Sequence, residues 1–375
     1  MREYIKLCDV CDFQGGSQPP KDEWSFDFKA GYIRMLQIRD FTQSERVAPE
    51  YIKITKTTRT CEADDILIAR YGASLGKILT GLAGAYNVAI MRTIPDTNIL
   101  EKKYLYYYLK SPVFQGFLLN VGSRAAQAGF NKNDLQDLFI PNITRNEQVE
   151  IVGILERVET VIEARQKELQ KLDDLIKARF IEMFGDPVAD TRNWGQTLLK
   201  EHLESIKYGT STPPIFTDDG YAFIRATNIK NGKIVTNDMK YIPQEEADRL
   251  EKCKLSGGEI IIVRSGVNAG DTCIVTDEYI GQYAGYDMIL VLSSDLHPVF
   301  FNTLINTEYM DKVVKPLTRR AAQPHLNSEQ TQRLPIIEVP FELQEQFADF
   351  VKQVDKSRFD IKKSIIELER EVVYD

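Results

Sequence analysis

Several residue types that mark common functional classes are scarce in this chain of 375 residues. Cysteine occurs five times, at positions 8, 11, 61, 253 and 273, and histidine three times, at positions 202, 297 and 325. The cysteines form no disulfide framework, and the one Cys-x-x-Cys pair, Cys8 and Cys11, has neither a second pair nor a nearby histidine. The sequence therefore predicts no metal site, and it favours small buried thiols over a redox pair.

Long apolar runs are also missing. No stretch reaches the length of a membrane span, and the N-terminal segment "MREYIKLCDV" has charged residues where a secretory signal has an apolar run. With 43% hydrophobic and 27% charged residues, the composition is that of a globular protein with more than one core. We expect a cytoplasmic protein.

The short motifs of many enzymes are absent. There is no GxxxxGK[ST], GxGxxG, GxSxG or HExxH, and "TPPIF" has Thr212 where the acidic-Pro-Pro-aromatic motif of amino-methyltransferases needs Asn or Asp. We therefore expect no catalytic residues. The formal charge of −8 argues that any binding of nucleic acid depends on local basic groups or on a basic partner.

The chain contains a long internal repeat, which decides its organisation. "SRAAQAGFN" at 123–131 returns as "RRAAQPHLN" at 319–327, and "RYGASLG" at 70–76 returns as "RSGVNAG" at 264–270. "GGSQPP" returns as "GTSTPP", and "IRMLQI" returns as "IRATNI", in the same order and with shifts of 191 to 196 residues. Ile-rich runs such as "DDILIARYG" and "GEIIIVRSG" predict buried strands, and aromatic segments between them predict core-facing helices. Each repeat is therefore an α+β domain.

Each domain is followed by a helix with heptad spacing, in which apolar residues alternate at four and three positions. We predict that these two helices pair with each other, while two separate amphipathic helices on their own domains remain the alternative. The predicted pairing residues are Ile151, Leu155, Val158, Ile162, Leu169, Leu172 and Ile176 in the first helix, and Phe347, Val351, Val354, Ile361, Ile365, Leu368 and Val372 in the second. The helix ends place the domains at 1–143 and 185–340 and the helical segments at 144–184 and 341–375.

The repeated blocks carry amide and guanidinium side chains next to glycines. Asn and Gln can pair bidentately with adenine, and Arg suits guanine or phosphate. Gly72 and Gly76 permit tight turns whose N–H groups could hold a phosphate with Arg70, Ser74 and Lys77. Polar turn loops are the alternative. The candidate DNA-binding residues are Arg34, Gln37, Arg70, Ser74, Lys77, Arg124, Gln127, Asn131, Arg225, Asn228, Arg264, Asn268, Arg319, Arg320, Gln323 and Asn327.

The alternation of two variable domains with two heptad helices resembles the specificity subunit of type I restriction–modification systems. The resemblance covers essentially the whole chain, and its specific parts are the helical segment from "NEQVEIVGIL" onward, Arg-x-Gly-x-x-x-Gly and Ala-Ala-Gln. It implies that each domain is a target recognition domain that reads half of a divided double-stranded DNA site. It also implies an antiparallel coiled coil with pseudo-twofold symmetry.

The resemblance further implies partners and an absence of cofactors in this chain. Two methyltransferase subunits, which use S-adenosylmethionine to methylate adenine, would dock on the helices, and a restriction subunit that uses ATP with Mg would join them. One departure is charge, since residues 185–340 carry 16 basic and 21 acidic side chains, against 18 and 16 in residues 1–143. Two other functions stay open: a diverged DNA methyltransferase or nuclease, and a structural adaptor that binds proteins.

Overall fold

The computed structural model describes residues 3–122, 129–318 and 324–374. The chain forms two compact units, of which the first contains residues 1–164 and 365–375 and the second contains residues 165–364. Each unit thus combines one sheet-rich domain with parts of both long helices. Among the described residues, no helix is both long enough and apolar enough to cross a lipid bilayer.

The sheet-rich domain of the first unit is made of short strands and helices. Its strands are β1 Tyr4–Lys6, β2 Cys11–Gly15, β3 Trp24–Ser25, β4 Tyr32–Leu36, β5 Tyr51–Lys53, β6 Thr60–Cys61, β7 Leu67–Ala69, β8 Ile78–Leu79, β9 Gly84–Tyr86, β10 Ile90–Pro95 and β11 Phe139–Pro141. Its helices are α1 Leu7–Val10, α2 Ile38–Thr42, α3 Lys102–Lys110 and α4 Pro112–Gly122. The first long helix, α5, follows at Arg145–Phe184.

The second unit has the same kinds of element. Its strands are β12 Gln196–Leu198, β13 Leu203–Tyr208, β14 Tyr221–Ile224, β15 Ile229–Lys230, β16 Lys233–Ile234, β17 Lys240–Ile242, β18 Ile260–Ile262, β19 Thr272–Ile274, β20 Tyr283–Ala284, β21 Met288–Leu292 and β22 Pro335–Ile337. Its helices are α6 Gln244–Arg249, α7 Pro298–Ile305, α8 Lys315–Thr318 and α9 Ser328–Gln332, and the second long helix, α10, is Phe341–Tyr374.

The strand order repeats from one domain to the other. An antiparallel sheet β2-β10-β7-β8 in the first unit corresponds to β13-β21-β18-β19 in the second, and the pair β1-β11 corresponds to β12-β22. Each domain also has a parallel strand pair, β4 with β9 and β14 with β20. The mixture of helices with mostly antiparallel sheets confirms the predicted α+β class.

The Ile-rich runs form central strands because both of their faces are covered. Ile260, Ile261 and Ile262 of β18 are all fully buried, and β18 lies between β19 and β21. A continuous apolar run, rather than an alternating one, is what a strand buried on both faces requires. The next residues along the chain leave the sheet, so these strands hold the loops that follow them.

The first long helix has clear start and stop signals. Thr144 precedes it, and the Glu147 carboxylate accepts hydrogen bonds from the N–H and hydroxyl of Thr144, at 2.7 Å each. The helix ends at Phe184, and Gly185 follows with a φ of +78°, a left-handed conformation that glycine adopts without strain.

Within the second unit the two long helices are in contact. Four fully buried phenylalanines form one cluster, with ring centroids 5.0 to 5.6 Å apart for each contact: Phe180 and Phe184 of α5, Phe300 of α7 and Phe347 of α10. Further along, Arg358 of α10 forms an ion pair with Asp173 of α5. The numbering falls on one helix as it rises on the other, so these two stretches run in opposite directions.

The predicted pairing residues with described side chains are all buried or half-buried. Phe347, Val354 and Ile361 are buried, and the other predicted positions with described side chains are half-buried. Val372 lies in α10, but its side chain is outside the described residues. The two compact units divide both long helices internally, so the predicted domain boundaries, which follow the helix ends, stay a prediction.

Candidate nucleic-acid interface

Two loops of the repeat have the same architecture. The first, residues 70–77, connects β7 to β8, and the second, residues 264–271, connects β18 to β19. We call them the 70–77 loop and the 264–271 loop. Each leaves the end of a buried strand, so the fold supports both loops at corresponding places.

The same four backbone hydrogen bonds close each loop. In the 70–77 loop, the N–H of Ala69 donates to the Lys77 oxygen, that of Leu75 to Gly72, that of Gly76 to Ala69 and that of Lys77 to Ser74, at 2.9 to 3.0 Å. In the 264–271 loop, the N–H of Val263 donates to the Asp271 oxygen, that of Ala269 to Gly266, that of Gly270 to Val263 and that of Asp271 to Asn268, at 2.8 to 3.1 Å. Every donor and acceptor is displaced by 194 positions, so the backbone frame is the repeated feature.

The second glycine of each loop allows a close approach to a helix. Gly76 has a φ of +81° and Gly270 a φ of +98°, which favour glycine. A Cβ at Gly76 would lie 2.7 Å from the Gln115 side chain of α4, and a Cβ at Gly270 would lie 2.6 Å from the Val314 side chain, just before α8. The glycines therefore hold each loop against its own domain.

The structure brings each loop next to the other repeated block. Tyr71 forms an isolated bridge with Gly129, and Ser265 forms one with His325. In the second unit, the Ser265 hydroxyl and Nδ1 of His325 are 2.8 Å apart, and the N–H of Gly266 donates to the oxygen of Pro324 at 3.1 Å. Two segments that are about 60 residues apart in sequence thus form one polar surface in each domain.

Each loop begins with an arginine that lies over an aromatic ring. The Arg70 guanidinium is 5.0 Å from the centre of the Tyr71 ring, and the Arg264 guanidinium is 4.6 Å from the centre of the Tyr208 ring. Arg70 also donates from Nε to the oxygen of Phe130 at 3.0 Å. Arg70 therefore has a role within the domain that the predicted phosphate contact does not explain.

Asp287 lies behind the 264–271 loop and was not predicted from the sequence. Its Oδ1 accepts a hydrogen bond from the N–H of Arg264 at 3.0 Å, whereas its Oδ2 is buried without a hydrogen-bond partner among the described residues. Burial raises the pKa of the Asp287 carboxyl, and the hydrogen bond and the Arg264 charge only partly oppose this. A carboxylate is thus placed directly under the arginine of the loop.

The prediction for Asn228 is wrong. Asn228 is 0% exposed, its Nδ2 donates to the oxygens of Val235 and Asn237 at 3.1 and 3.0 Å, and its Oδ1 accepts from the N–H of Arg225 at 3.2 Å. A side chain with these bonds cannot reach a base. It closes a turn, which explains why a polar residue recurs at this place in the repeat.

The other candidate residues of the repeated segments 33–38 and 224–229 also have partners within their own domain. Arg34 pairs with Asp40 at 2.8 Å, and Arg225 pairs with Asp238 at 2.9 Å. Gln37 donates to the Glu50 carboxylate at 2.7 Å. Contact of these three residues with DNA stays a prediction, and it would compete with hydrogen bonds that already exist.

The proposed phosphate cradle is wrong for one part of the 70–77 loop. The N–H groups of Leu75, Gly76 and Lys77 all donate to oxygens of the same loop, so they are not available to a phosphate. Ser74 is half-buried and Lys77 is exposed at the surface of the domain. In the 264–271 loop, Asn268 is half-buried, and its Nδ2 donates a hydrogen bond to the Ala226 oxygen at 3.4 Å.

Asn131 and Asn327 are exposed, as a base contact requires, but both also cap helical turns. Oδ1 of each accepts a backbone hydrogen bond at 2.8 Å, from Asn133 and Gln330 respectively. Their pairing with adenine stays a prediction. Five further candidates lie outside the described residues: Arg124, Gln127, Arg319, Arg320 and Gln323.

Burial makes the described thiols poor nucleophiles. Burial raises the pKa of Cys11 to about 12, and it also raises the pKa of Cys8, so both favour the thiol form. Within the described ranges, no cluster of three or more potential metal ligands occurs. Tyr208, His325 and Val267 also belong to the loop surface. The sequence did not predict them, because the internal repeat does not conserve them.

Known proteins share both the sequence pattern and the fold. A family model described as "Type I restriction modification DNA specificity domain" matches residues 2–174 and again residues 196–370. The MjaVIII specificity subunit, a type I restriction enzyme subunit of Methanocaldococcus jannaschii, is 21% identical over 374 residues, which cover 94% of this chain and 86% of that protein. The EcoBI specificity subunit of Escherichia coli is 26% identical over 151 residues, 38% of this chain and 32% of that protein.

Among solved structures, one described as "Structural basis underlying complex assembly and conformational transition of the type I R-M system" superimposes with a TM-score of 0.61. It is 15% identical, and the match covers 99% of this chain and 95% of that chain. This likeness shows that the fold is shared over almost the whole chain.

Proposed function

Because the chain belongs to the family of type I restriction–modification DNA specificity domains, we propose that each of its two domains reads one half of a divided double-stranded DNA site. The chain is a DNA-recognition subunit, and the family match occurs twice along it. Division of the target between the domains is the step that we add.

The observation that carries this proposal is the pair of matching loops. Their backbone hydrogen bonds correspond one by one, whereas the two residues that follow the first glycine differ, Ala73 and Ser74 in one loop and Val267 and Asn268 in the other. A constant frame with variable side chains suits two domains that recognise different sequences by the same geometry.

We further propose that this chain is not itself catalytic. The chemistry would come from two adenine methyltransferase subunits that use S-adenosylmethionine and from a restriction subunit that uses ATP with Mg. This chain would need no cofactor of its own, and its part is to select the sequence on which the partners act.

Exposed apolar residues on the long helices support the docking of those partners. Ile154 and Val161 of α5 are exposed and are seven residues apart, as are Phe359 and Ile366 of α10. Residues with this spacing lie on one face of a helix, and an exposed apolar face offers a site for another protein. One apolar pair lies on α5 and the other on α10, which fits two separate docking sites.

The long helices would form an antiparallel coiled coil along their whole length, with a pseudo-twofold axis that relates the two domains. The contacts of Asp173 with Arg358 and of Phe180 with Phe347 support this arrangement for the second unit. The heptad spacing of the remaining pairing residues extends it to the rest of both helices.

A tip exchange tests the division of the target. Methylation profiling of a genome that carries the intact system identifies the site for the native chain and for the variant Ala73→Val/Ser74→Asn, which has the tip of the 264–271 loop in the 70–77 loop. We expect one half of the site to change and the other half to stay the same. A change in both halves, or in neither, would contradict the assignment of one half to each domain.

A second measurement tests the docking sites. Mass analysis of the purified complex should give two methyltransferase subunits per chain for the native protein and one for Phe359→Glu or Ile366→Glu. Asp360→Lys is the matched control, because it changes an exposed charge on α10 away from the face of the apolar pair. Two methyltransferases in every variant would argue against these docking sites.

A further inference from the structure

Val267 lies at the tip of the 264–271 loop and is the most exposed large apolar side chain of the described residues. Its exposed fraction is 96%, whereas the next in order, Phe26, is 71% exposed. An apolar side chain in this position contributes nothing to the domain core, and it presents its methyl groups entirely to solvent. Val267 therefore contributes little to folding, and a contact with a molecule outside the domain explains its position better.

The backbone on both sides of Val267 is held in place. Gly266 donates to the oxygen of Pro324 and accepts from the N–H of Ala269, and Asn268 accepts from the N–H of Asp271. Valine is β-branched, so its own χ1 is restricted as well. The side chain thus loses little conformational freedom when it makes a contact, which favours tight and selective binding.

The groups around Val267 are polar. Arg264 stands at the start of the loop, Asn268 follows Val267, and the Ser265 hydroxyl is in contact with His325. A protein docking site of ordinary size would instead place several apolar residues together. A single apolar group among hydrogen-bonding side chains matches the edge of a base pair, where the C5-methyl of thymine is the one apolar group in the major groove.

We propose that Val267 selects thymine, by packing its methyl groups against the thymine C5-methyl in the half-site that the second domain reads. The inference rests on the proposed function, since it requires that the 264–271 loop enters the major groove. The corresponding residue of the first domain is Ala73, whose side chain is a single methyl group. Ala73 reaches less far from the backbone than Val267, so this contact is assigned to the second domain.

Deoxyuridine provides the test, because it differs from thymidine only by the absence of that methyl group. Once methylation profiling has defined the site, each thymine is replaced singly by deoxyuridine in duplexes that carry it. Binding is then measured for the assembled complex of native chain and methyltransferase subunits, for Val267→Ala, and for Ile215→Ala. Ile215 is the matched control, because it is 70% exposed in another loop of the same domain.

For the native complex, we expect one thymine of the second domain's half-site to lose about threefold to fivefold in affinity on replacement, the effect of one buried methyl group. Val267→Ala should bind the unmodified site more weakly by a similar factor and should be indifferent to deoxyuridine at that position only. Val267→Ile, which keeps the branched side chain, should retain the discrimination. Ile215→Ala should behave as the native chain does.

Three results would overturn the inference while leaving the proposed function intact. They are a half-site without thymine, equal deoxyuridine sensitivity in the native and Val267→Ala complexes, and a Val267→Ala chain that loses methyltransferase subunits instead of discrimination. Failure of the native complex to bind any defined sequence would instead overturn the proposed function itself.

Discussion

Arg358 is a charged residue in the apolar seam of the long helices, with only 6% of its surface exposed. Its guanidinium pairs with Asp173 of α5 and with Asp355 of its own helix. Lys233, in β16, also pairs with Asp173 at 3.2 Å, and burial, together with the Arg358 charge, lowers the pKa of Lys233. One carboxylate thus holds two cations from different parts of the second unit.

This sharing predicts an asymmetry between the two sides of the ion pair. Asp173→Ala leaves the buried Arg358 with Asp355 alone and should lower the free energy of unfolding by about 1–2 kcal/mol, less than for a fully buried pair because the Asp173 side chain is 41% exposed. Arg358→Met leaves Asp173 paired with Lys233 and fills the seam, so its cost should be about 0–1 kcal/mol. Chemical denaturation of the two variants measures the difference. Equal costs would mean that Lys233 does not compensate Asp173.

Asp287 gives a prediction about pH. Since burial raises the pKa of this carboxyl, the folded chain holds the proton more readily than the unfolded chain does. The charged form therefore costs stability at neutral pH, and this cost fades as the pH falls through the raised pKa. Asp287→Asn keeps the oxygen that accepts from the N–H of Arg264, so it should be more stable than the native chain at pH 7 and progressively less so in acid.

Asp12 is the control with the opposite sign. A hydrogen bond from Lys132 lowers the pKa of the Asp12 carboxyl, so this group stabilises the fold above its unfolded-state pKa and loses the effect in acid. Asp12→Asn should thus be less stable than the native chain at neutral pH and approach it at low pH. Thermal melting across a pH series measures both variants, and shifts of the same sign would contradict the burial argument for Asp287.

Among the elements, the 264–271 loop depends on glycine for two different reasons. Gly270→Ala should cost about 2–4 kcal/mol of stability for two reasons. The alanine would be strained in the left-handed backbone conformation, and its Cβ would crowd the buried Val314. Gly266→Ala has a φ of +92° but open space around the Cβ, so it should cost about 1–2 kcal/mol from strain alone. Urea unfolding compares them, and a Gly266→Ala variant as unstable as Gly270→Ala would rule out the packing contribution.

The long helices show what the sequence could predict. The heptad spacing identified positions that are buried or half-buried, because a helix that packs along one face buries a residue at every third or fourth position. It missed Phe180 and Phe184, which follow the last predicted position of the first helix, Ile176, because these rings contact α7 as well as α10. When a helix packs against two other elements, it buries residues on two faces, and one heptad pattern marks only one of them.

The candidate site was less predictable for a related reason. Repetition marked both Arg70 and Asn228, since a turn that both domains need and a surface that both domains use are repeated alike. Asn228 closes a turn, whereas Val267, which is not repeated, lies at the exposed tip. Residues that distinguish two half-sites must differ between the domains, so a search for identity overlooks them.

At the scale of the whole molecule, the long helices should set the distance between the half-sites. Addition of one heptad to both helices preserves the predicted pairing positions and lengthens each helix by about 10 Å, or roughly 3 base pairs of DNA. The DNA also turns by about 100° over that distance. We expect a longer preferred spacer with weaker binding, or loss of divided recognition, with both half-site sequences unchanged.

Methylation profiling with the lengthened chain measures this outcome. A heptad added to one helix only is the control, because it puts the pairing residues of the two helices out of register and should impair folding rather than spacing. Full activity of the doubly lengthened chain on the original spacer would show that the helices do not act as the ruler.

The composition of the first unit also has a consequence for biosynthesis. This unit includes the last turns of α10, from residue 365 onward, together with residues near the start of the chain. A ribosome therefore releases the N-terminal domain long before the segment that completes its unit has been made, and the entire second unit is translated in between. Until residues 365–374 have been made, the first unit lacks this segment of α10. Termination of translation before residue 365 should thus leave the first unit incomplete and make the first domain more sensitive to proteolysis.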